Sequence, residues 1–156
     1  MTTREGWLAL ILLTGCGDEG PSDDTSAIEG IWQVTAVDGV SLPAPTPSGT
    51  EVLRGSFTFF RGDQGTAGSG MRYCTDNGSG AFARGEPTRW RVTSDDVVLV
   101  TYPDHGGAAP VEDTATVSGG EMELVADATA ALLGRTVWTL EKLSDDPTAE
   151  PPTTCP

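Results

Sequence analysis

Apolar and polar residues alternate with a period of two along much of the chain between residues 28 and 143. The clearest apolar positions are Trp32, Val34 and Ala36; Phe57 and Phe59; Trp90 and Val92; Met122, Leu124 and Ala126; and Trp138 and Leu140. Such alternation predicts β-strands that turn one face to a core and the other to water. Residues 97–100 are apolar at every position, which indicates a strand covered on both faces.

Turn-forming residues separate these segments, as at Asp38-Gly39, Asn77-Gly78 and Ser118-Gly119-Gly120. Short spacings favour antiparallel neighbours joined by hairpins. The pattern therefore predicts an all-β domain, an antiparallel up-and-down barrel of about 8–9 strands, with a β-sandwich as the alternative. A short helix over residues 128–133, capped by Asp127, is predicted before the last strand, and a loop is the alternative there.

The start of the chain is of a different kind. Arg4 precedes an apolar run over residues 7–13, and the small residues Thr14 and Gly15 stand directly before Cys16. A basic start, a short apolar core and small residues before a cut characterise secretory signals. The run is too short to span a bilayer, which takes about 20 apolar residues.

This segment resembles the lipobox of bacterial lipoproteins. The resemblance implies cleavage after Gly15 and acylation of Cys16 with long chains such as palmitate, which would hold the protein on a membrane of the cell envelope. Gly17, rather than Asp, after the cysteine favours the outer membrane by analogy with known sorting.

The formal net charge of −14 excludes some partners. Loss of residues 1–15 removes one Arg and one Glu and leaves that charge unchanged. Nucleic acids need Lys and Arg to neutralise phosphates, and anionic lipid headgroups attract basic segments. The charge therefore argues against nucleic acid and direct headgroup binding, and it suits either simple solubility or a basic protein partner.

The predicted organisation has four parts: a signal peptide over 1–15, a lipidated Cys with an acidic tether over 16–27, a barrel over 28–143 and a Pro-rich tail over 144–156. With Cys16 acylated, Cys74 and Cys155 form an even pair in an oxidising compartment. We predict a disulfide between them, with two free thiols as the alternative. No Cys-x-x-Cys or Cys/His cluster indicates zinc.

Gly30-Ile31-Trp32 matches the G-x-W motif of lipocalins, and residues 57–66, 90–92 and 137–142 follow in an order similar to that of bacterial lipocalin-like domains. The resemblance covers roughly residues 26–143. It implies that Gly30 and Trp32 belong to the barrel floor and that a late basic residue, Arg135 or Lys142, packs across Trp32. It also implies a cup for a small apolar ligand.

Large apolar residues at inward positions are candidates to line such a cup. Because a short barrel can also be filled completely by its side chains, a cavity and a filled core both stay open. The candidates are Phe57, Phe59, Trp90, Met122, Leu124 and Trp138.

No arrangement of residues indicates an enzyme, a cofactor or a metal site. His105, the only histidine, stands in a Pro/Gly-rich loop without a matching nucleophile. The adjacent pairs Asp95-Asp96 and Asp145-Asp146 lack the spacing of a calcium loop. Arg61-Gly62-Asp63 and Asn77-Gly78-Ser79 match short motifs but are better explained as turns.

A second resemblance gives an alternative function. The segment from Ser69 to Tyr73 is similar to the S-G-x-x-Y segment of membrane-bound lysozyme inhibitors, whereas their Y-x-x-x-T-K-G motif is absent. It implies a protein-binding module in which Ser69 and Tyr73 contact a basic partner. An exposed Tyr73 would favour that function, and a Tyr73 inside the barrel would refute it.

Overall fold

The computed structural model describes residues 27–61, 67–94, 97–102, 111–126, 136–149 and 155. Strands account for most of these residues. They are β1 (Gly30–Val37), β2 (Val40–Ser41), β3 (Ala44–Pro45), β4 (Glu51–Arg61), β5 (Ala67–Asp76), β6 (Ala81–Ser94), β7 (Val97–Tyr102), β8 (Val111–Ser118), β9 (Glu121–Ala126) and β10 (Thr136–Ser144).

The strand pairings close into a ring. β4 to β10 pair in sequence order, and β1 pairs antiparallel with β10 on one side and with β4 on the other. The two-residue strands β2 and β3 belong to the connection between β1 and β4. The predicted all-β, antiparallel up-and-down barrel is therefore confirmed, with eight strands in the ring.

No helix occurs among the described residues, and none of them forms a helical segment fit to cross a lipid bilayer. The helix predicted over 128–133 lies outside the described residues.

The two ends of the barrel carry different connections. We call the end where β1 begins at Gly30 and β10 ends at Ser144 the floor. We call the other end, where β1 ends at Val37 and β10 begins at Thr136, the mouth. Residues 27–29 adjoin the floor, whereas residues 38–50 and 77–80 connect strands at the mouth.

The predicted alternation produces the core. In β9, Met122, Leu124 and Ala126 are buried between exposed or half-buried neighbours, and β10 repeats the pattern at Thr136, Trp138 and Leu140. Because both strands have one face in the core and one outside, burial of their apolar side chains stabilises a single register.

The first strand departs from the predicted alternation. A register shift between Val34 and Ala36 in the β1–β10 pairing inserts one residue. Val37 is therefore fully buried, and Ala36, predicted to face the core, is only half-buried. A bulge of this kind changes which residues of a strand point inward.

Gly30 occupies a position that no other residue fits. Its φ of +129° lies in a region that L side chains rarely adopt, and a Cβ there would collide with the backbone oxygen of Ser144. The glycine of the G-x-W motif thus allows the chain after β10 to pass close to the start of β1.

The tail is bonded to the barrel. Cys74 in β5 and Cys155 form a disulfide across a sequence separation of 81, with Cα atoms 5.5 Å apart. The predicted pairing is confirmed. Because Cys74 alternates with the inward-facing Tyr73, the bond attaches the end of the chain to the outside of the barrel.

Candidate functional site

Trp32 lies inside the barrel, two residues from the floor end of β1. Its side chain is fully buried, and its Nε1 donates a hydrogen bond to the backbone oxygen of Ile28 at 2.8 Å. Ile28 itself is buried in the core cluster. The residues that precede β1 are therefore folded under the barrel, where a buried indole N–H finds the partner it needs.

Lys142 lies across the same tryptophan. Its Nζ stands 5.6 Å from the centre of a Trp32 ring, donates to the backbone oxygen of Ala27 at 3.0 Å and pairs with Asp145 at 2.7 Å. A cation over an indole face is attracted by the ring quadrupole. Of the two basic residues considered from the sequence, Lys142 takes this position, and Arg135 lies outside the described residues.

Aromatic rings fill the interior above the floor. Phe57 stacks on Phe59 with ring centres 6.2 Å apart and meets the edge of Trp138 at 6.3 Å. Phe59 meets Trp90 edge-on at 5.8 Å. These separations are those of favourable aromatic pairs, so the rings contact one another and leave no space for a ligand between them.

The six candidate cavity residues all belong to one buried cluster. Each is at most 4% exposed, and each packs with the others rather than around an open space in this part of the barrel. The prediction that they line a ligand cavity stays untested at the mouth, where residues 103–110 and 127–135 lie outside the described part of the chain.

A layer of small and polar side chains lies near the mouth. Its members stand within three residues of the mouth end of their strands, and all are at most 1% exposed; they are Val52, Thr75, Asp113, Ala126 and Thr136. Thr136 accepts a hydrogen bond from Trp138 Nε1 at 2.6 Å, so the polar layer rests directly on the aromatic one.

Asp113 was not anticipated from the sequence. It is the only carboxylate that is fully buried among the side chains the structure describes. Its backbone pairs with Val100, and Thr136 pairs with Ala126, the residue beside Asp113 on β9. The signal was present in the alternation of Val111, Asp113, Ala115 and Val117, which places a carboxylate at an inward position.

Tyr73 lies inside the barrel. Its side chain is 2% exposed, and its ring meets Trp138 edge-on at 6.0 Å. A lysozyme-inhibitor loop requires this tyrosine at an exposed tip, so the position of Tyr73 counts against that alternative. The side chain of Ser69 is not among those described.

The other singled-out residues do not meet in a site. Arg61 forms an ion pair with Glu29 at 3.5 Å, and Asp145 forms one with Lys142. Hydrogen bonds from the side chain and backbone of Thr148 hold the pKa of Asp146 below its usual value. No group of three potential metal ligands occurs among the described residues.

Several sequence candidates fall outside the described ranges, namely Cys16, Gly62-Asp63, Asp95-Asp96 and His105. Asn77-Gly78-Ser79 does form a turn, in which Asp76 Oδ1 accepts from Gly78 N at 2.7 Å.

No protein-family model matches the chain, and neither a curated protein nor a solved structure matches it. The resemblances to bacterial lipoproteins and lipocalin-like barrels therefore stay predictions. The function has to be argued from the geometry of the described residues.

Proposed function

We propose that the protein is a non-enzymatic, lipid-anchored protein of the bacterial cell envelope whose lipocalin-like barrel binds a small, mainly apolar molecule at its mouth. One observation supports this most. Large rings such as Phe59 lie toward the floor ends of their strands, whereas small side chains such as Val52 and Ala126 lie at the mouth ends. Trp138, two residues from the mouth end of β10, lies between them. Such a gradient leaves the mouth as the end at which a molecule can enter.

The described residues at the floor support the same direction of entry. Trp32, Ile28 and Lys142 close that end with two hydrogen bonds and a cation–ring contact. Trp138 and Tyr73 lie above the floor aromatics and would form the bottom of a shallow cup.

The residues of the mouth layer suggest the ligand's chemistry. Val52 and Ala126 are apolar, while Asp113 and Thr136 are polar groups buried beside them. Because all four side chains are fully buried, a ligand would reach them only by displacing the groups that cover them. Binding sites for small molecules commonly combine an apolar lining with a few polar groups that fix orientation. The ligand would thus be an apolar molecule with one hydrogen-bonding end.

The anchor fits this orientation. Ala27 is held at the floor by Lys142 and lies eleven positions after Cys16, a reach of at most about 40 Å. Acylation of Cys16 would then place the floor on the membrane side and leave the mouth accessible from the aqueous compartment.

Ala126→Leu tests the ligand cup. The larger side chain would occupy the mouth layer, so we expect native mass spectrometry to detect no co-purified apolar molecule and an apolar fluorescent probe to lose at least tenfold in affinity. Ala83→Leu, at an exposed position on β6, is the matched control and should bind like the original protein.

A completely filled barrel gives a different result for the same variant. Overpacking a filled core costs about 1–3 kcal/mol. A loss of that size in the free energy of unfolding, together with no probe uptake by the original protein, would contradict the cup and favour a structural envelope module.

Cys16→Ser tests the anchor separately. We expect incorporation of labelled palmitate to disappear and the protein to move from the membrane fraction to the soluble fraction, because the thiol that carries the lipid is gone. Cys155→Ser is the matched control and should keep its label. Label that persists after Cys16→Ser would refute the lipobox.

A further inference from the structure

Basic residues gather on one side of the barrel exterior. Arg54 on β4, Arg72 on β5 and Arg89 and Arg91 on β6 are exposed, and each alternates with an inward-facing neighbour. We call these four residues the arginine face. The chain has only nine Lys and Arg residues in total and a net charge of −14. A concentration of scarce positive charge on one surface indicates a role for that surface.

The opposite side carries acids. Glu121 and Glu123 on β9 and Glu141 on β10 are exposed, and Glu121 stands directly opposite Glu141 in the register. In the eight-stranded ring, β5 and β9 are four strands apart in both directions. Among the described strands, exposed arginines are therefore concentrated on β4–β6, although Glu51 lies on β4 and Glu112 pairs with Arg91.

The arginines sit close to one another despite their equal charges. Ser56 pairs with Arg72, so Arg54 is a diagonal neighbour of Arg72 at about 7–8 Å between Cα atoms. Arg89 and Arg91 are about 7 Å apart on the same face of β6. Arg54 stands in register with Cys74, where the disulfide attaches the tail, and Arg91 faces Glu112, so Arg72 and Arg89 are the positions considered for an anion.

Glycine leaves part of the outer face of β5 without side chains, and we call this stretch around Gly70 the β5 channel. Gly70 stands on that face between Thr58 and Pro87, and a Cβ added there would meet nothing within 4 Å. In a neighbouring row, Phe60 is 41% exposed and is separated from Arg89 by Gly68. An extended backbone fits where glycines leave the sheet surface bare.

Two arginines at the edges of this surface already bind carboxylates. Arg61 holds the carboxylate of Glu29 at 3.5 Å, and Arg91 holds that of Glu112 at 4.0 Å. Arg72 and Arg89 form no ion pair with any other described residue. The planar guanidinium fork of arginine suits carboxylates, which it binds through two parallel hydrogen bonds.

We propose that the arginine face and the β5 channel dock an extended, acidic segment of a partner protein. Carboxylates of the segment pair with Arg72 and Arg89, and an apolar side chain between them packs on Phe60. This role is additional to ligand binding inside the barrel and does not depend on it.

The register fixes the spacing of the acids. Arg72 pairs with Gly85, and Arg89 is four residues further along β6, which is about 13 Å. An extended peptide spans that distance in four residues. The matching segment therefore has acidic residues at positions i and i+4 with an apolar residue between them.

The experiment measures binding of a fluorescent peptide with the core Glu-Ser-Leu-Ser-Glu to the chain purified from a bacterial envelope. Anisotropy is recorded in low-salt buffer, and the same peptide with Gln in place of both Glu is the ligand control. We expect saturable binding of the acidic peptide alone, weakened by added salt because the pairs are exposed.

Two kinds of variant locate the site. Arg72→Gln and Arg89→Gln should each weaken binding about fivefold, the effect of one exposed ion pair. Thr116→Glu makes the same change in net charge on β8, beside Glu123 of β9 and away from the arginine face, and should leave affinity unchanged. Gly70→Val should abolish binding by filling the channel, while the unfolding transition stays in place because the added atoms enter open space.

Other outcomes overturn the proposal. Equal binding of the Gln peptide, or unchanged affinity in Arg72→Gln, Arg89→Gln and Gly70→Val, would remove the arginine face as the site. Binding of inorganic polyphosphate without binding of the peptide would assign the face to phosphate polymers. Self-association that disappears in Arg72→Gln would assign it to the acidic side of a second copy.

Discussion

Trp32→Ala is expected to lower the free energy of unfolding by about 3–5 kcal/mol, the range for removal of a large buried aromatic side chain. The reason is that Trp32 is fully buried, bonds to the Ile28 backbone and supports Lys142. Its loss would leave a cavity at the floor and release the residues that precede β1. Urea unfolding followed by far-ultraviolet circular dichroism gives the difference.

Trp32→Phe separates packing from the hydrogen bond. It keeps much of the apolar contact but leaves the Ile28 backbone oxygen without its indole donor, so we expect a loss of about 1–3 kcal/mol. Lys142→Met tests the cation over the ring while it preserves the stem of the side chain. If Trp32→Ala and the original protein unfold at the same urea concentration, the floor does not hold the barrel together.

Loss of the disulfide is expected to lower the free energy of unfolding by about 4 kcal/mol. The bond between Cys74 and Cys155 closes a loop with a sequence separation of 81, and chain entropy makes long loops costly to leave open. The double variant Cys74→Ser and Cys155→Ser, compared with the oxidised protein by urea unfolding, measures the effect.

A reductant provides the matched control for this comparison. Dithiothreitol should shift the unfolding of the original protein toward that of the double variant and leave the double variant itself unchanged, because only Cys16 then remains. Mass mapping without reductant should recover the peptides around Cys74 and Cys155 as one linked species. Two free thiols in the exported protein would contradict the expected stabilisation.

The strands of the barrel were largely predictable because their signal is local. Alternation at Met122, Leu124 and Ala126 needs only neighbouring residues to be recognised, and the structure buries each of them. The β1 bulge was not predictable, because Ala36 and Val37 are both apolar and the choice between them depends on pairing with β10. A register shift is set by the partner strand and not by the strand itself.

The same distinction applies to the candidate site. Composition suggested that Cys74 and Cys155 pair, and the structure joins them. The sequence did not choose between Arg135 and Lys142 as the basic residue beside Trp32, because both stand late in the chain. Only the geometry brings Lys142 over Trp32. Asp113 escaped notice because the alternation along β8 places it at an inward position but does not show that its carboxylate is fully buried.

The sequence by itself determined the kind of fold and the turn positions, because hydrophobic periodicity and turn chemistry act over short stretches of chain. It also determined the cysteine pair, because that prediction needs only the number of cysteines. Only the tertiary structure decided that Tyr73 lies inside the barrel, that Lys142 lies over Trp32, and that four arginines share one side. These features depend on strand register and ring closure, which join residues far apart in the chain.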